Sequence, residues 1–315
     1  FDRFERIFDA QFPRFNKNAT IPPNSNHLKI VVDHYKLRSS LKSPERKPIN
    51  LYLLHGTGMT KAIWRYYAKR LYEFSETESP IWQIDNIIAM DLVTHGESAM
   101  FNMGKLGYEY DWRDGARDLV KIASELNLQG DNIAIGHSMG GFQSVYAAFL
   151  APTLFKFVVP IEAVLNQSEN SRKRFKGLLP ALNKVITTEF RNEVEYETFM
   201  KKKSFYTGFN KEILDDFIKA EKWVHPDGTV STKTSKQQQM LGYYVGGFIT
   251  PIALEVVHNI FIPIVHVIGS EATWNEKESV ELIRNGHINV LDAVDIKGGQ
   301  HLVNGEQPDE VIKVL

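Results

Sequence analysis

A chain of 315 residues that is 43% hydrophobic and 24% charged has the size and make-up of a globular protein. At that length it can bury roughly three quarters of its unfolded surface. Lysine plus arginine number 37 and aspartate plus glutamate 38, a net charge of -1, which excludes the basic excess that nucleic-acid binding requires. Cysteine is absent, which excludes disulfides, thiolate catalysis and zinc–thiolate sites and favours an intracellular setting.

After a polar start, residues 28–35 (LKIVVDHY) and 49–56 (INLYLLHG) read as strands on either side of a charged turn near Lys42 to Lys47. A helical pattern from Lys61 to Phe74 leads into a strand at 86–92, and residues 111–126 repeat at helical spacing behind an acidic start. A strand at 132–138, a helix from Met139 to Leu150 and a strand at 155–164 follow. Between 165 and 258 the rhythm breaks into helical stretches with no buried strand, so this segment reads as an inserted helical cap. Strand character returns at 262–270 and 288–296 around a helix from Asn275 to Asn285, and a last helix starts at Pro308. The alternation predicts an α/β fold: a mainly parallel central sheet flanked by helices, its core formed by residues 1–164 and 259–315 and interrupted by the cap 165–258. The longest weakly charged run, Tyr243 to Leu254, is shorter than the roughly 20 residues of a membrane span, so no transmembrane segment is expected. The chain opens on Phe1 and stops at Leu315 inside an apparent helix, so both ends read as trimmed, with room for an address signal beyond either.

Gly136-His137-Ser138-Met139-Gly140 fits G-x-S-x-G and lies between an apolar strand and an apolar helix, the setting of a sharp strand-to-helix turn that exposes a serine hydroxyl. Ser138 is therefore the candidate nucleophile, the plain alternative being a helix-capping serine. A hydroxyl needs a base, and His301, following the last strand and the pair Gly298-Gly299, is the best placed of ten histidines. His137 lies inside the turn, where a structural role or a contact with substrate is expected. His55 and His95 sit in strand-end turns and His266 in an apolar strand, which suits structural roles. The strand end Leu53-Leu54-His55-Gly56-Thr57-Gly58 offers a backbone N–H to an oxyanion, assigned to Thr57 with Gly58 as the rival, and the head of the following helix offers the Met139 N–H. For the acid that orients the histidine, the usual seat after Gly269 holds Ala272. Glu162, a lone carboxylate at the end of an apolar strand, is preferred. Glu271 is the alternative acid, and Asp292, Asp295 or no acid at all stay open.

The set LLHGTG, DLVTHGES, GHSMGG and GGQHLVN, in that order, resembles the α/β-hydrolase superfamily over nearly the whole chain. LHGTGM, DWRDGARDLVKIA, GHSMGGFQ, the IE step at Glu162 and HLVN are similar to the fungal, or yeast, peroxisomal lipase group. The resemblance implies a serine esterase or lipase that cleaves carboxylic esters, fatty acyl esters first, through an acyl-enzyme. It implies no metal or organic cofactor, a small-molecule or lipid ester partner and a peroxisomal address. The group also lacks an acid at the position of Ala272, which supports Glu162. Phe205, Tyr206, Tyr244 and Phe248 in the cap are the expected substrate-binding wall. An acyltransferase, a carbon–carbon bond hydrolase or a weakly catalytic ligand-binding protein of the same fold would share every one of these motifs.

Overall fold

The computed structural model describes residues 1–315 except 26, 79, 80, 167, 287 and 288. Its central sheet has eight strands in the order β1-β2-β4-β3-β5-β6-β10-β11: β1 Asp2–Asp9, β2 Lys29–Lys36, β3 Lys47–Leu54, β4 Trp82–Met90, β5 Asp131–His137, β6 Phe157–Ile161, β10 Ile264–Gly269 and β11 Val290–Ile296. β2 runs antiparallel to both β1 and β4, and from β4 to β11 every pairing is parallel. Parallel strands need helices on both faces, and the sequence pattern shows it, because the ends of β3, β4 and β5 are apolar with little alternation.

The period-2 geometry of the strands then divides the interior in two. Tyr52 and Leu54 of β3 and Ala134 of β5 meet Ala116, Leu119 and Ile122 of α3 (Trp112–Leu126) and Phe142 and Val145 of α4 (Met139–Leu150). Leu51, Leu53, Ile133 and Ile135 meet Trp64, Tyr67 and Leu71 of α1 (Trp64–Glu78). A short α2 (Gly96–Phe101) follows β4.

Between β6 and β10 the chain forms α5 (Glu169–Val185), α6 (Glu193–Lys202), α7 (Lys211–Glu221) and α8 (Lys236–Val257). It also forms a small antiparallel sheet of β7 (Glu189–Phe190), β9 (Val230–Thr232) and β8 (Lys222–Val224) with Phe190 and Val230 buried, so the expectation of no buried strand here is corrected. After β10, α9 (Lys277–Gly286) precedes β11, and α10 (Val303–Glu306) and α11 (Pro308–Ile312) end the described chain. The polar start contains a strand that its pattern does not announce, the edge strand β1. Position 288, where the last strand was expected to begin, lies outside the described residues.

Candidate active site

β5 ends at His137 and α4 begins at Met139, which leaves Ser138 alone in the turn at φ 54 and ψ −115. Four non-glycine residues in the described chain have positive φ. Two are asparagines, which tolerate that region, and the other two are Ser138 and Glu162. The turn closes only because its neighbours lack side chains: a Cβ on Gly136 would stand 2.0 Å from the carbonyl oxygen of Gly140. Strain of this kind persists where the surrounding structure holds it, and the Ser138 N–H is tied to the carbonyl of Ile161 at 3.0 Å.

His301, in the loop between β11 and α10, brings Nε2 to 3.1 Å from Ser138 Oγ, while its Nδ1 lies 3.0 Å from Glu162 Oε2. A carboxylate only accepts, so Nδ1 carries the proton and Nε2 presents its lone pair to the serine hydroxyl. Glu162 is fully buried at the end of β6. Its Oε1 accepts from the Gly269 N–H at 2.7 Å, and its Oε2 accepts also from Asn275 Nδ2 at 3.1 Å. Those donors offset the desolvation that an isolated carboxylate would suffer there. The alternative acid, Glu271, is exposed, and its backbone N–H donates to Gly299. Asp295 turns outward to Arg284 at 2.6 Å, and Asp292 is exposed.

The Thr57 and Met139 amides donate to no protein acceptor among the described residues, and the side chains of the two residues meet, Thr57 Oγ1 3.5 Å from Met139 Sδ. Gly58 was the rival for Thr57, and its N–H is already taken, since it donates to His95 Nε2 at 3.0 Å. His95 is fully buried, and burial together with His55 holds its pKa well below the ordinary value, keeping the lone pair free to accept. From the other side, the Tyr206 hydroxyl donates to the Gly58 carbonyl at 2.7 Å and the Tyr243 hydroxyl to that of Thr57 at 3.5 Å. The loop after β3 is thus held by His95 at the head of α2 and, from α8 and the α6–α7 connection, by two tyrosines. Gly58 accepts this grip at φ +79, and a Cβ there would stand 2.7 Å from the Tyr206 oxygen.

Several residues expected to touch substrate are placed otherwise. His137 is buried and donates from Nε2 to the His301 carbonyl at 2.7 Å. Burial and the neighbouring His301 push its pKa down to about 3, so it is a neutral prop for the loop. Tyr206 is buried against the Gly58 carbonyl. Phe205, Tyr244 and Phe248 are 43%, 52% and 66% exposed, and the rings of the last two meet at a tilt of 53°, 5.4 Å apart, on the outer side of α8. The aromatic wall beside the imidazole is instead Trp274, stacked on His301 at 4.9 Å and 17°, with Phe175 5.2 Å and Tyr243 6.3 Å from Trp274. The sequence reading missed Trp274, Phe175 and Asn275. A tryptophan-asparagine pair in the polar run EATWNEKE was the available signal. A cleft of about 830 Å³ between α2 and the β7–β9–β8 sheet is lined by none of Ser138, His301 and Glu162.

The sequence pattern of the alpha/beta hydrolase family matches residues 51–314. The chain is 32% identical to a peroxisomal membrane protein of Saccharomyces cerevisiae, LPX1, an alignment covering 99% of this chain and 85% of that one. A solved structure of the peroxisomal alpha-beta-hydrolase Lpx1 from the same yeast superposes with a TM-score of 0.89 at 32% identity, covering 99% of this chain and 86% of that one. A type I acyl-CoA thioesterase of Penicillium brevicompactum is 27% identical over 146 residues, 46% of this chain and 33% of its own length. The thioesterase domain from the curacin biosynthetic pathway shares the fold, with a TM-score of 0.68 at 16% identity, over 100% of this chain and 99% of that one.

Proposed function

Because the chain belongs to the alpha/beta hydrolase family, we propose that it is a serine hydrolase cleaving carboxylic esters of fatty acids through Ser138, His301 and Glu162. The observation that carries this reading is the run of contacts from Glu162 Oε2 through both ring nitrogens of His301 to Ser138 Oγ. His301 takes the hydroxyl proton as Ser138 attacks the carbonyl, and the Thr57 and Met139 amides receive the oxyanion. The proton on Nε2 then passes to the leaving alcohol, and water repeats the sequence on the acyl-enzyme. Glu162 holds the Nδ1–H tautomer and stabilises the imidazolium that forms between the two transfers. Residues 165–258 serve as a cap over this site, with Phe175, Tyr243 and Trp274 as the nearest apolar surface for the acyl group. The likeness to the yeast peroxisomal proteins supports a peroxisomal location.

A thioester substrate is the second reading, favoured by the Penicillium acyl-CoA thioesterases among its relatives. Oxygen esters and thioesters call on the same groups, so substrates decide between them. A panel of p-nitrophenyl esters from acetate to palmitate, run beside the matching acyl-CoA thioesters, should give turnover that rises with chain length. A fluorophosphonate should label the native chain and not Ser138→Ala. Failure of the native protein to label or to turn over any ester or thioester would end the proposal.

A further inference from the structure

Helices α5 and α8 pack against each other, and each shows two different faces. Inward, Phe175 of α5 and Tyr243 of α8 meet Trp274, the ring stacked on His301. Outward, their next neighbours in sequence, Lys176 and Tyr244, are exposed. α5 carries five cations, Arg172, Lys173, Arg174, Lys176 and Lys184, against the single carboxylate of Glu169, in a chain whose net charge is -1. Lys173 pairs with Glu169 and Arg174 donates to the Thr273 carbonyl, while Lys176 and Lys184, two helical turns apart on one side of α5, form no ion pair among the described residues. On the neighbouring α8 two aromatic side chains stand open to water, Tyr244 at 52% and Phe248 at 66% exposure, with the exposed Glu255 two turns beyond Phe248. A groove of about 460 Å³ opens between the helices over Leu179, Met240, Leu241 and Tyr244, with Lys236 at its rim.

We infer that the outer face of α5 and α8 docks on an anionic lipid bilayer. Exposed aromatic side chains on one helix and unpaired lysines on the next are what a surface lying in the headgroup region needs, the rings entering the acyl boundary while the lysines meet lipid phosphates. Two exposed rings at the edge of an apolar groove mark a contact site. Charge complementarity selects the partner. A second copy joined by the same face would bring the α5 lysines against one another, whereas an anionic bilayer supplies the opposite sign to the lysines of α5 and to Lys236. Only delivery rests on the fatty acyl ester reading: a chain drawn from the bilayer enters between the two helices whose inner residues meet Trp274, the ring stacked on His301. Among the described residues no helix is long and apolar enough to cross a membrane, so the contact is made from one side.

The test uses the full chain with Ser138→Ala, so that vesicles stay intact, floated with phosphatidylcholine vesicles with or without phosphatidylserine. Binding should need phosphatidylserine, weaken as salt is raised, and fall more than about tenfold in Lys176→Glu/Lys184→Glu and in Phe248→Ser. On the Ser138 background the same lysine reversal should leave turnover of soluble p-nitrophenyl butyrate unchanged and cut turnover of vesicle-borne ester. The inference is overturned if the chain does not float with anionic vesicles, if flotation ignores both variants, or if the variants instead dissolve a dimer on size exclusion. Flotation with no turnover of the soluble ester would leave docking standing and remove the ester hydrolase reading.

Discussion

Glu162 separates charge from shape at the residue scale. Glutamine in its place keeps the volume, but its amide nitrogen cannot accept from Gly269, Asn275 or His301, and its oxygen serves only one side of that cluster. The imidazole then loses both its fixed tautomer and the partner of its charged form. Glu162→Gln should lower kcat by about three to four orders of magnitude with little change in KM, and Glu271→Gln, an exposed change, should be silent. A larger loss in the second variant would unseat Glu162. Tyr206→Phe asks a finer question. It removes the hydroxyl on the Gly58 carbonyl and keeps the ring, which packs edge-on with Phe209 and Phe217. If the neighbouring Thr57 amide serves the oxyanion, kcat should fall about tenfold or less at unchanged KM, with fluorophosphonate labelling slowed in parallel. A rise in KM alone would make Tyr206 part of the substrate wall instead.

At the scale of elements, the joint between β5 and α4 depends on backbone contact that no side chain can enter. In Gly136→Ala the new methyl meets the Gly140 carbonyl at 2.0 Å, and backbone rather than a flexible side chain has to move. The variant should lose about 3 kcal/mol or more and lower Tm by several degrees, and a thermal melt matching the parent would show the turn to be looser than described. The joint was legible in the sequence because glycines at fixed offsets between an apolar strand and an apolar helix suit little besides a close crossing of two backbones. Glu162 was legible for a related reason, being a carboxylate in VVPIEAV that needed a partner. β7, β8 and β9 were not, since strands of two or three residues carry no period. Nor was β1, whose residues are exposed at seven of eight positions and so show no buried face. α8 misled for the opposite reason. From Met240 to Ile252 it is apolar or small nearly all round, so the pattern could not separate the inward Tyr243 from the outward Tyr244 and Phe248. Trp274 and Asn275 reach His301 and Glu162 only through tertiary folding.

Over the whole molecule, buried titratable groups bind the fold to pH from both sides. Glu221, at the end of α7, accepts from the Thr234 N–H through Oε1 at 2.8 Å, while its buried Oε2 has no partner among the described residues. It borders a cavity of about 30 Å³ that also touches Gly58, Tyr206 and Gln239. Burial pushes its pKa from 4.5 up to about 8. Folding therefore favours the neutral carboxyl, and the stability this gives is complete below pH 4.5 and lost as pH rises toward 8, at about 1.4 kcal/mol per pH unit. His137 and His266 behave in the reverse sense. Burial takes each from 6.5 down to about 3, so their contribution is complete above 6.5 and lost as pH falls toward 3. Two histidines outweigh one carboxyl between 4.5 and 6.5, and above 6.5 the carboxyl acts alone among these three. Thermal melts across pH 4 to 9 should therefore peak near pH 6.5, and Glu221→Gln, which cannot ionise, should flatten the alkaline limb and leave the acid limb in place. A variant whose melting temperature drops between pH 6.5 and 8 as steeply as the parent's would show that the alkaline loss begins at some group other than Glu221.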